Sequence, residues 1–179
     1  GTNALFTGPQ VRVLVKDGSA GDVAPDPGTM LTHVLDVGSV PPAEARTLDR
    51  LDASHLRIIT HNVLNDRPFA GAHQAKFKRL WTAVAPDILH LQEIYDHSPT
   101  ETRDLIASWL DGPWHVAGNN DCITVSRYPI RDAWPIDGNL AVHIDTTEVL
   151  GTDLLCINAH LPCCDNDSGR QWESDAIVA

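Results

Sequence analysis

From Leu56 onward, short apolar runs alternate with segments in which apolar residues recur every three or four positions. The runs are rich in Ile, Leu and Val and predict buried strands, whereas the wider spacing predicts amphipathic helices. Strands are predicted at 56–63, 87–93, 114–118, 121–126, 133–136, 141–145 and 153–161. Helices are predicted at 72–85, at 99–110 and from Ser168 onward. This order favours an α/β (α+β) fold with a mixed, largely antiparallel sheet and helices on its outside.

The beginning of the chain follows a different pattern. We predict an N-terminal extension at 1–55, ahead of the alternating region at 56–179. Residues 11–15 and 30–37 are strand candidates that could form a β-hairpin, and the remainder up to residue 55 is predicted to be an irregular linker.

The loop between these two strand candidates is rich in Gly, Pro and Asp. Its oxygen-bearing side chains Asp17, Ser19 and Asp22 could hold calcium. Their spacing does not match the EF-hand pattern, so a solvated turn is the favoured interpretation.

The net charge of −11 makes some classes of ligand less suitable than others. A domain that binds duplex DNA by bulk attraction is normally basic on one face, so this acidity argues against that role. It fits a site that concentrates divalent cations, or a small phosphorylated substrate. No run approaches the ~20 apolar residues of a membrane span, so we expect a soluble protein. No signal-peptide pattern is visible at the start, although removal of one would leave an extracytoplasmic location open.

The four cysteines leave the compartment undetermined. Cys122 and Cys156 lie in apolar strand-like runs and are interpreted as buried thiols, while Cys163 and Cys164 are neighbours in a predicted loop. No CxxC pair is present, which argues against a zinc ribbon.

Two polar residues at strand ends are candidate metal ligands. Glu93 closes the predicted strand at 87–93, where an unpaired carboxylate would be costly without a cation or a salt bridge. Magnesium favours one or two protein carboxylates together with water and substrate phosphate. Asn62 ends the first strand of the alternating region, where its carboxamide could bind a hard metal or hold the metal-binding carboxylate. A turn or cap role is the alternative for Asn62.

The last predicted strand carries two catalytic candidates. His160 could donate a proton to a leaving oxygen or hydrogen-bond a phosphoryl oxygen, and a satisfied core histidine is the alternative. Asn158 lies two residues earlier and should share its face of the strand, where it could orient His160 or contact phosphate.

Two arginines are candidate substrate-binding residues. Arg127 follows a strand end, where the next-but-one residue is a proline that makes a rigid turn equally plausible. Arg170 opens the last predicted helix and could meet a substrate oxygen, with a surface pair to Glu173 as the favoured alternative. The aspartate-rich segment 165–167 could add metal ligands, but a loop is the simpler interpretation.

Four stretches in a fixed order resemble motifs of one family. They are THNV at 60–63, PDILHLQE at 86–93, SRYPI at 126–130 and NAHLP at 158–162. In this order and spacing they are similar to the first half of the endonuclease/exonuclease/phosphatase family, the metal-dependent phosphoesterases related to pancreatic deoxyribonuclease.

The resemblance implies roles for three residues and a fold for the chain. Glu93 would bind magnesium or manganese, Asn62 would lie at the metal site, and His160 would contact the scissile phosphate; calcium is a further candidate ion. The fold implied is half of a four-layer α-β-β-α sandwich. The later Gly-Asp-x-Asn motif and C-terminal Asp-His pair of the family do not occur in this sequence. We therefore expect a missing C-terminal half or a second chain to complete the domain, and this chain alone to be inactive.

The function that the resemblance implies is hydrolysis of a phosphodiester or phosphomonoester by in-line attack of water. Candidate substrates are a phosphorylated small molecule, a lipid head group or nucleic acid. Three alternatives stay open: a catalytically inactive family member that acts as a binding module, a structural or interaction fragment, and a calcium-binding surface domain.

Overall fold

The computed structural model describes residues 4–7, 10–14, 32–36, 48, 50, 52 and 54–179. The chain divides into two compact units, Gly1–Thr47 and Leu48–Ala179. The first unit contains an antiparallel sheet in the order β1-β2-β3. Its strands are β1 (Ala4–Thr7), β2 (Gln10–Leu14) and β3 (Thr32–Asp36).

The two strands predicted in the N-terminal region are present as β2 and β3, and β1 was not predicted. The candidate calcium residues Asp17, Ser19 and Asp22 lie outside the described residues, as does most of the predicted linker.

The second unit alternates strands and helices before it ends in a run of antiparallel strands. Its strands are β4 (Ile58–Asn62), β5 (Ile88–Gln92), β6 (His115–Asn119), β7 (Cys122–Ser126), β8 (Ile130–Ile136), β9 (Asn139–Ile144) and β10 (Leu154–Asn158). Its helices are α1 (Gly71–Val84), α2 (Pro99–Ala107), α3 (Thr147–Leu150) and α4 (Asp167–Val178). A 3-10 turn at Arg67–Phe69 precedes α1. None of α1 to α4, within the described part of the chain, has the length and apolar character of a membrane-spanning helix.

These strands form two sheets. The first is mixed, in the order β4-β5-β7-β6, with β4 parallel to β5 and the other pairs antiparallel. The second is antiparallel, in the order β10-β9-β8. Every residue of β5 and β7 is buried, because these two strands are central in the first sheet and covered on both faces. Pro135 is tolerated in β8 because this strand lies at a sheet edge.

Two apolar layers flank the mixed sheet. On one face, residues of α1 and α2 pack on alternate residues of β5 and β7, with Trp81 and Ile106 fully buried. On the other face, Ile88 and Cys122 pack against Leu140 and Val142 of the second sheet. Burial of apolar side chains at roughly 1.5–3 kcal/mol each makes these layers the main source of stability. The predicted α/β class, with a largely antiparallel sheet arrangement and outer helices, is confirmed.

The structure differs from the sequence-based expectation at three places. Helix α2 ends at Ala107 instead of residue 110, and its last turn continues as a tight turn through Trp109. Helix α3 was not predicted, because four residues are too few to carry a helical periodicity. Leu80, which shares the apolar spacing of α1 with Phe77 and Trp81, is 46% exposed because it lines an open groove beside β4.

Candidate active site

Four polar side chains meet at one rim of the two packed sheets. Parallel strands β4 and β5 end there, and they bring Asn62 and Glu93 side by side. Strand β7 runs antiparallel to β5 and therefore begins at the same rim, with Asp121 directly before it. His160 follows the end of β10 in the second sheet and completes the group.

The Glu93 carboxylate is held at both oxygens. The amide of Asn62 donates to Oε1 at 2.7 Å, and the backbone N–H of Asn65 donates to Oε2 at 3.0 Å. Glu93 has a φ of 65°, a left-handed conformation that costs a non-glycine residue about 1–2 kcal/mol. Backbone strain of this kind persists where the surrounding structure enforces it, and it clusters at functional sites.

The turn after β4 is also left-handed. Leu64, Asn65 and Asp66 have φ values of 56°, 52° and 56°. This turn brings the N–H of Asn65 to the Glu93 carboxylate, and the N–H of Leu64 donates to Oδ1 of Asn62 at 3.0 Å. Two strained segments thus fix the position of the carboxylate and its neighbouring amide.

His160 is oriented by Asp121. Nδ1 of His160 lies 2.6 Å from Oδ2 of Asp121, so the ring donates its Nδ1 proton to the carboxylate. Nε2 then faces Asn62 Nδ2 at 3.3 Å and Glu93 Oε1 at 3.7 Å. A carboxylate behind the ring selects the tautomer and leaves Nε2 as the atom that can exchange a proton with a ligand.

The backbone of His160 has its own support. Its N–H donates to Oδ1 of Asn139 at 2.8 Å, and the Asn139 amide donates to Glu173 of α4 at 2.9 Å. Asn139 is fully buried at the start of β9. The histidine is therefore fixed from the second sheet and from α4, as well as through Asp121.

The site carries an excess of negative charge. In the part of the chain that the structure describes, the only ion-pair partner of Glu93 and of Asp121 is His160. Burial raises the pKa of Tyr95, and the nearby Asp121 and Glu93 charges raise it further. A divalent cation would neutralise this charge.

The rim offers few donors to the ions that the sequence implied. The described residues contain no cluster of three or more His, Cys, Asp or Glu side chains arranged to hold a metal. One or two carboxylates fit Mg²⁺, which keeps several waters. Asn62 supports such a ligand, because its Nδ2 donates to Glu93 while its Oδ1 accepts from the N–H of Leu64. Calcium takes about six to eight oxygen ligands and fits this sparse set less well.

Asn158 lies in the interior and does not join the rim group. It is 1% exposed, and its Oδ1 accepts from Gln92 Nε2 at 2.6 Å. Its amide donates to the carbonyl oxygens of Leu91 and Ile123, both at 3.1 Å. Asn158 therefore ties β10 to the mixed sheet, and any influence on His160 runs through the backbone between them.

Arg127 lies at the opposite end of the mixed sheet. Because β7 is antiparallel to β5, Ser126 pairs with Ile88 at the start of β5, far from Glu93. The guanidinium donates to the carbonyl of Asp111 at 2.7 Å and lies 4.7 Å from the ring centre of Trp114. The structure does not bring Arg127 together with the candidate metal and phosphate residues.

Arg170 stabilises the loop that follows His160. It donates to the carbonyl oxygens of Pro162 and Cys164 at 3.0 and 2.8 Å, and it pairs with Asp167. Its expected surface pair with Glu173 is replaced by this pair with Asp167. Asn166 caps α4 by accepting from the N–H of Gly169.

Asp121 and Asn139 are the site residues that sequence reasoning missed. Asp121 begins a predicted strand, but only the register that pairs Leu91 with Ile123 reveals that it faces Glu93. No motif marks Asn139, which a turn with Gly138 precedes. The sequence did offer one signal for Asp121, which is a carboxylate directly before an apolar run. It marks Asp121 as a strand-end residue but does not say which other strand end it meets.

No protein-family model and no curated protein matches the sequence. Among solved structures, the chain is similar to an endonuclease/exonuclease/phosphatase family protein from Leptotrichia buccalis C-1013-b, with 16% identity and a TM-score of 0.49. The similarity covers 69% of this chain and 61% of that chain, so the chain spans about three fifths of that protein's length. Similarity at this level leaves the function to be inferred from the residues of the site.

Proposed function

We propose that the protein is a metal-dependent phosphoesterase whose site is formed by Asn62, Glu93, Asp121 and His160. The observation that carries this proposal is the approach of His160 Nε2 to within 3.7 Å of Glu93 Oε1, with Asn62 in contact with both. A cation ligand and a proton-exchanging group thus stand side by side at an open rim. The four-motif resemblance supports the same conclusion.

Glu93 would hold Mg²⁺ or Mn²⁺, which when bound would supply Lewis-acid polarisation of a phosphoryl oxygen. Asn62 lies at the metal site and would hold the Glu93 carboxylate in place, because its Nδ2 donates to Oε1 of Glu93. The left-handed backbone at Glu93 and the N–H of Asn65 keep the carboxylate aimed at the rim. Such preorganisation lowers the cost of reorienting the ligands during turnover.

His160 would act on the leaving group. With Nδ1 bound to Asp121, Nε2 can hydrogen-bond a phosphoryl oxygen or, when protonated, donate its proton to the departing oxygen. The adjacent Asp121 carboxylate stabilises the positive charge that the ring carries in that state. Attack by water is in line with the departing oxygen, and no covalent enzyme intermediate forms. The resemblance assigns the water-activating aspartate to a motif outside this sequence.

The substrate is a phosphodiester or phosphomonoester, which nucleic acid, a lipid head group or a phosphorylated small molecule could supply. The net charge of −11 makes long duplex DNA the least suitable of these.

The proposal is tested by assaying the full-length protein with bis(p-nitrophenyl) phosphate and p-nitrophenyl phosphate, with Mg²⁺, Mn²⁺, Ca²⁺ or EDTA. We expect turnover with Mg²⁺ or Mn²⁺ and none with EDTA. In ¹⁸O-labelled water, one labelled oxygen should enter the phosphate product in each turnover. Turnover that persists in EDTA would contradict the metal role, and metal-independent binding without any turnover would favour the inactive binding module.

A further inference from the structure

Two neighbouring cysteines lie on the loop between His160 and helix α4. Cys163 and Cys164 are both exposed, and their Sγ atoms face each other at 2.7 Å. Both are free thiols, as are Cys122 of β7 and Cys156 of β10. Cys163 and Cys164 therefore combine the two properties of a redox-sensitive thiol, which are access to solvent and a second thiol beside it.

The backbone at Cys164 brings the two side chains together. In an extended chain, successive side chains point to opposite sides. Cys164 has a φ of 64°, and this left-handed conformation breaks the alternation, so that its thiol faces that of Cys163. A left-handed backbone at a non-glycine residue persists only where the surrounding structure enforces it.

Arg170 is the residue that enforces it. Its guanidinium donates to the carbonyl oxygen of Pro162, directly before the pair, at 3.0 Å and to that of Cys164 at 2.8 Å. The same side chain pairs with Asp167 in the first turn of α4. One guanidinium thus holds the chain on both sides of Cys163 and keeps the two thiols in register before any reaction occurs.

We propose that Cys163 and Cys164 are a site of reversible redox modification, at which a low-molecular-weight disulfide converts the two thiols into a disulfide between neighbours. This inference does not depend on the phosphoesterase role. The Cα atoms of neighbouring residues are about 3.8 Å apart, whereas most disulfides join Cα atoms roughly 4.4–6.8 Å apart. A disulfide between neighbours is therefore strained, and strained or exposed disulfides are the readily reduced ones. A thiol reductant should reverse the modification.

The reaction balances in two exchange steps. The Cys163 thiolate attacks one sulfur of the reagent, the S–S bond of the reagent breaks, and one thiolate leaves. Cys164 then loses its proton and attacks Sγ of Cys163, which releases the second thiolate. The two released thiolates take up the two protons, so the protein gives up two electrons and the reagent becomes two thiols. The hydrogen bond with Cys163 raises the pKa of the Cys164 thiol, which assigns the first attack to Cys163.

The test treats reduced full-length protein with glutathione disulfide, denatures it in iodoacetamide, and measures the tryptic peptide 132–170 by mass spectrometry. That peptide contains Cys156, Cys163 and Cys164. We expect it to lose two hydrogen atoms and to carry one alkyl group instead of three, with no disulfide-linked dimer on a non-reducing gel. An excess of reduced glutathione should then restore the three alkylated cysteines.

Single variants test each thiol separately. In Cys164→Ser, glutathione should remain attached to Cys163, because the thiol for the second attack is absent. An acid quench of the wild-type protein at early times should find the same adduct on Cys163. Cys156→Ala is the matched control, because Cys156 is the third thiol of the same peptide and lies in β10. It should close the disulfide at the wild-type rate.

Four results would overturn the proposal. They are a glutathione adduct that persists on the wild-type protein, a disulfide-linked dimer, three alkylated cysteines after oxidation, and a disulfide that reduced glutathione does not open. Loss of the disulfide in Cys156→Ala would also overturn it, because the bond would then join Cys156 to one of the loop thiols.

Discussion

Oδ2 of Asp121 lies 2.6 Å from Nδ1 of His160 and 3.1 Å from the backbone nitrogen of Glu93. One carboxylate oxygen therefore positions the candidate proton donor and the loop that carries the candidate metal ligand. The Asp121 side chain is 13% exposed, so water competes poorly for these contacts. Asp121 is a positioning residue that acts through His160 and Glu93.

Asp121→Asn should lower kcat by about 10- to 100-fold without unfolding the protein, because the ring of His160 loses its charged partner. The ¹⁵N shifts of the His160 ring should change with it, because Nδ1 loses its contact with a carboxylate. Asp132→Asn is the control, since Asp132 makes a 3.4 Å contact with His143 and its side chain is 58% exposed. Equal effects of the two substitutions would remove Asp121 from the site.

Asn158→Ala should destabilise the fold more than it alters the chemistry. The substitution removes the Asn158 amide from the carbonyl oxygens of Leu91 and Ile123 and takes one of three acceptors from the Gln92 amide. Each buried unsatisfied group costs about 1–3 kcal/mol, so urea denaturation should report a loss of about 2–4 kcal/mol. A variant of unchanged stability but greatly reduced kcat would instead restore the catalytic role predicted for Asn158.

Much of this architecture could be predicted from the sequence, because the spacing of apolar residues indicates which faces of helices and strands are buried. The continuous apolar runs became β5 and β7, which are covered on both faces, and the helical spacing of α1 placed Trp81 in the core. Glu93 was a candidate because a carboxylate directly after a buried strand needs a partner, but a salt bridge would have met that need equally well. The resemblance of PDILHLQE at 86–93 to a family motif favoured the metal role.

The pairing register could not be predicted, and it decides which strand ends meet. Because β7 is antiparallel to β5, its first residues approach Glu93 while Arg127 is carried to the far edge. A pattern of apolar positions is the same for either direction of a strand. Asp121 was therefore missed, and Arg127 was assigned a role at an edge that it does not reach.

Acid should weaken the fold through His90. This side chain is buried beside Thr124, and burial lowers its pKa from 6.5 to about 4. Between these values the unfolded chain binds a proton that the folded protein does not, so stability falls as pH decreases. From pH 7 to pH 5 this residue should cost about 2 kcal/mol. The measurement is urea denaturation at both pH values.

His90→Gln is the control for this pH dependence, because glutamine can still hydrogen-bond Thr124 but does not titrate. Its loss of stability between pH 7 and pH 5 should be smaller than that of the wild-type protein by about 2 kcal/mol. The same loss in both proteins would mean that other groups cause the acid sensitivity.

Two of the four thiols should react quickly with a thiol reagent in the native protein, and the other two should be protected by burial. Cys163 and Cys164 are exposed, whereas Cys122 is fully buried and burial raises its pKa to about 12. Burial also raises the pKa of Cys156. With reduced native protein, 5,5′-dithiobis(2-nitrobenzoate) should react quickly with Cys163 and Cys164, and in guanidinium chloride all four thiols should react. Fast reaction of Cys122 in the native protein would contradict the buried position of β7.

The central claim is that Glu93 and His160 form a working phosphoesterase site, and the most direct measurement compares their variants in one assay. Glu93→Gln and His160→Ala in the full-length protein should each lower Mg²⁺- or Mn²⁺-dependent hydrolysis of bis(p-nitrophenyl) phosphate by at least about 100-fold. Glu148→Gln and His55→Ala, at exposed positions away from the rim, should keep the wild-type rate. Unchanged metal-dependent rates in both rim variants would contradict the assignment.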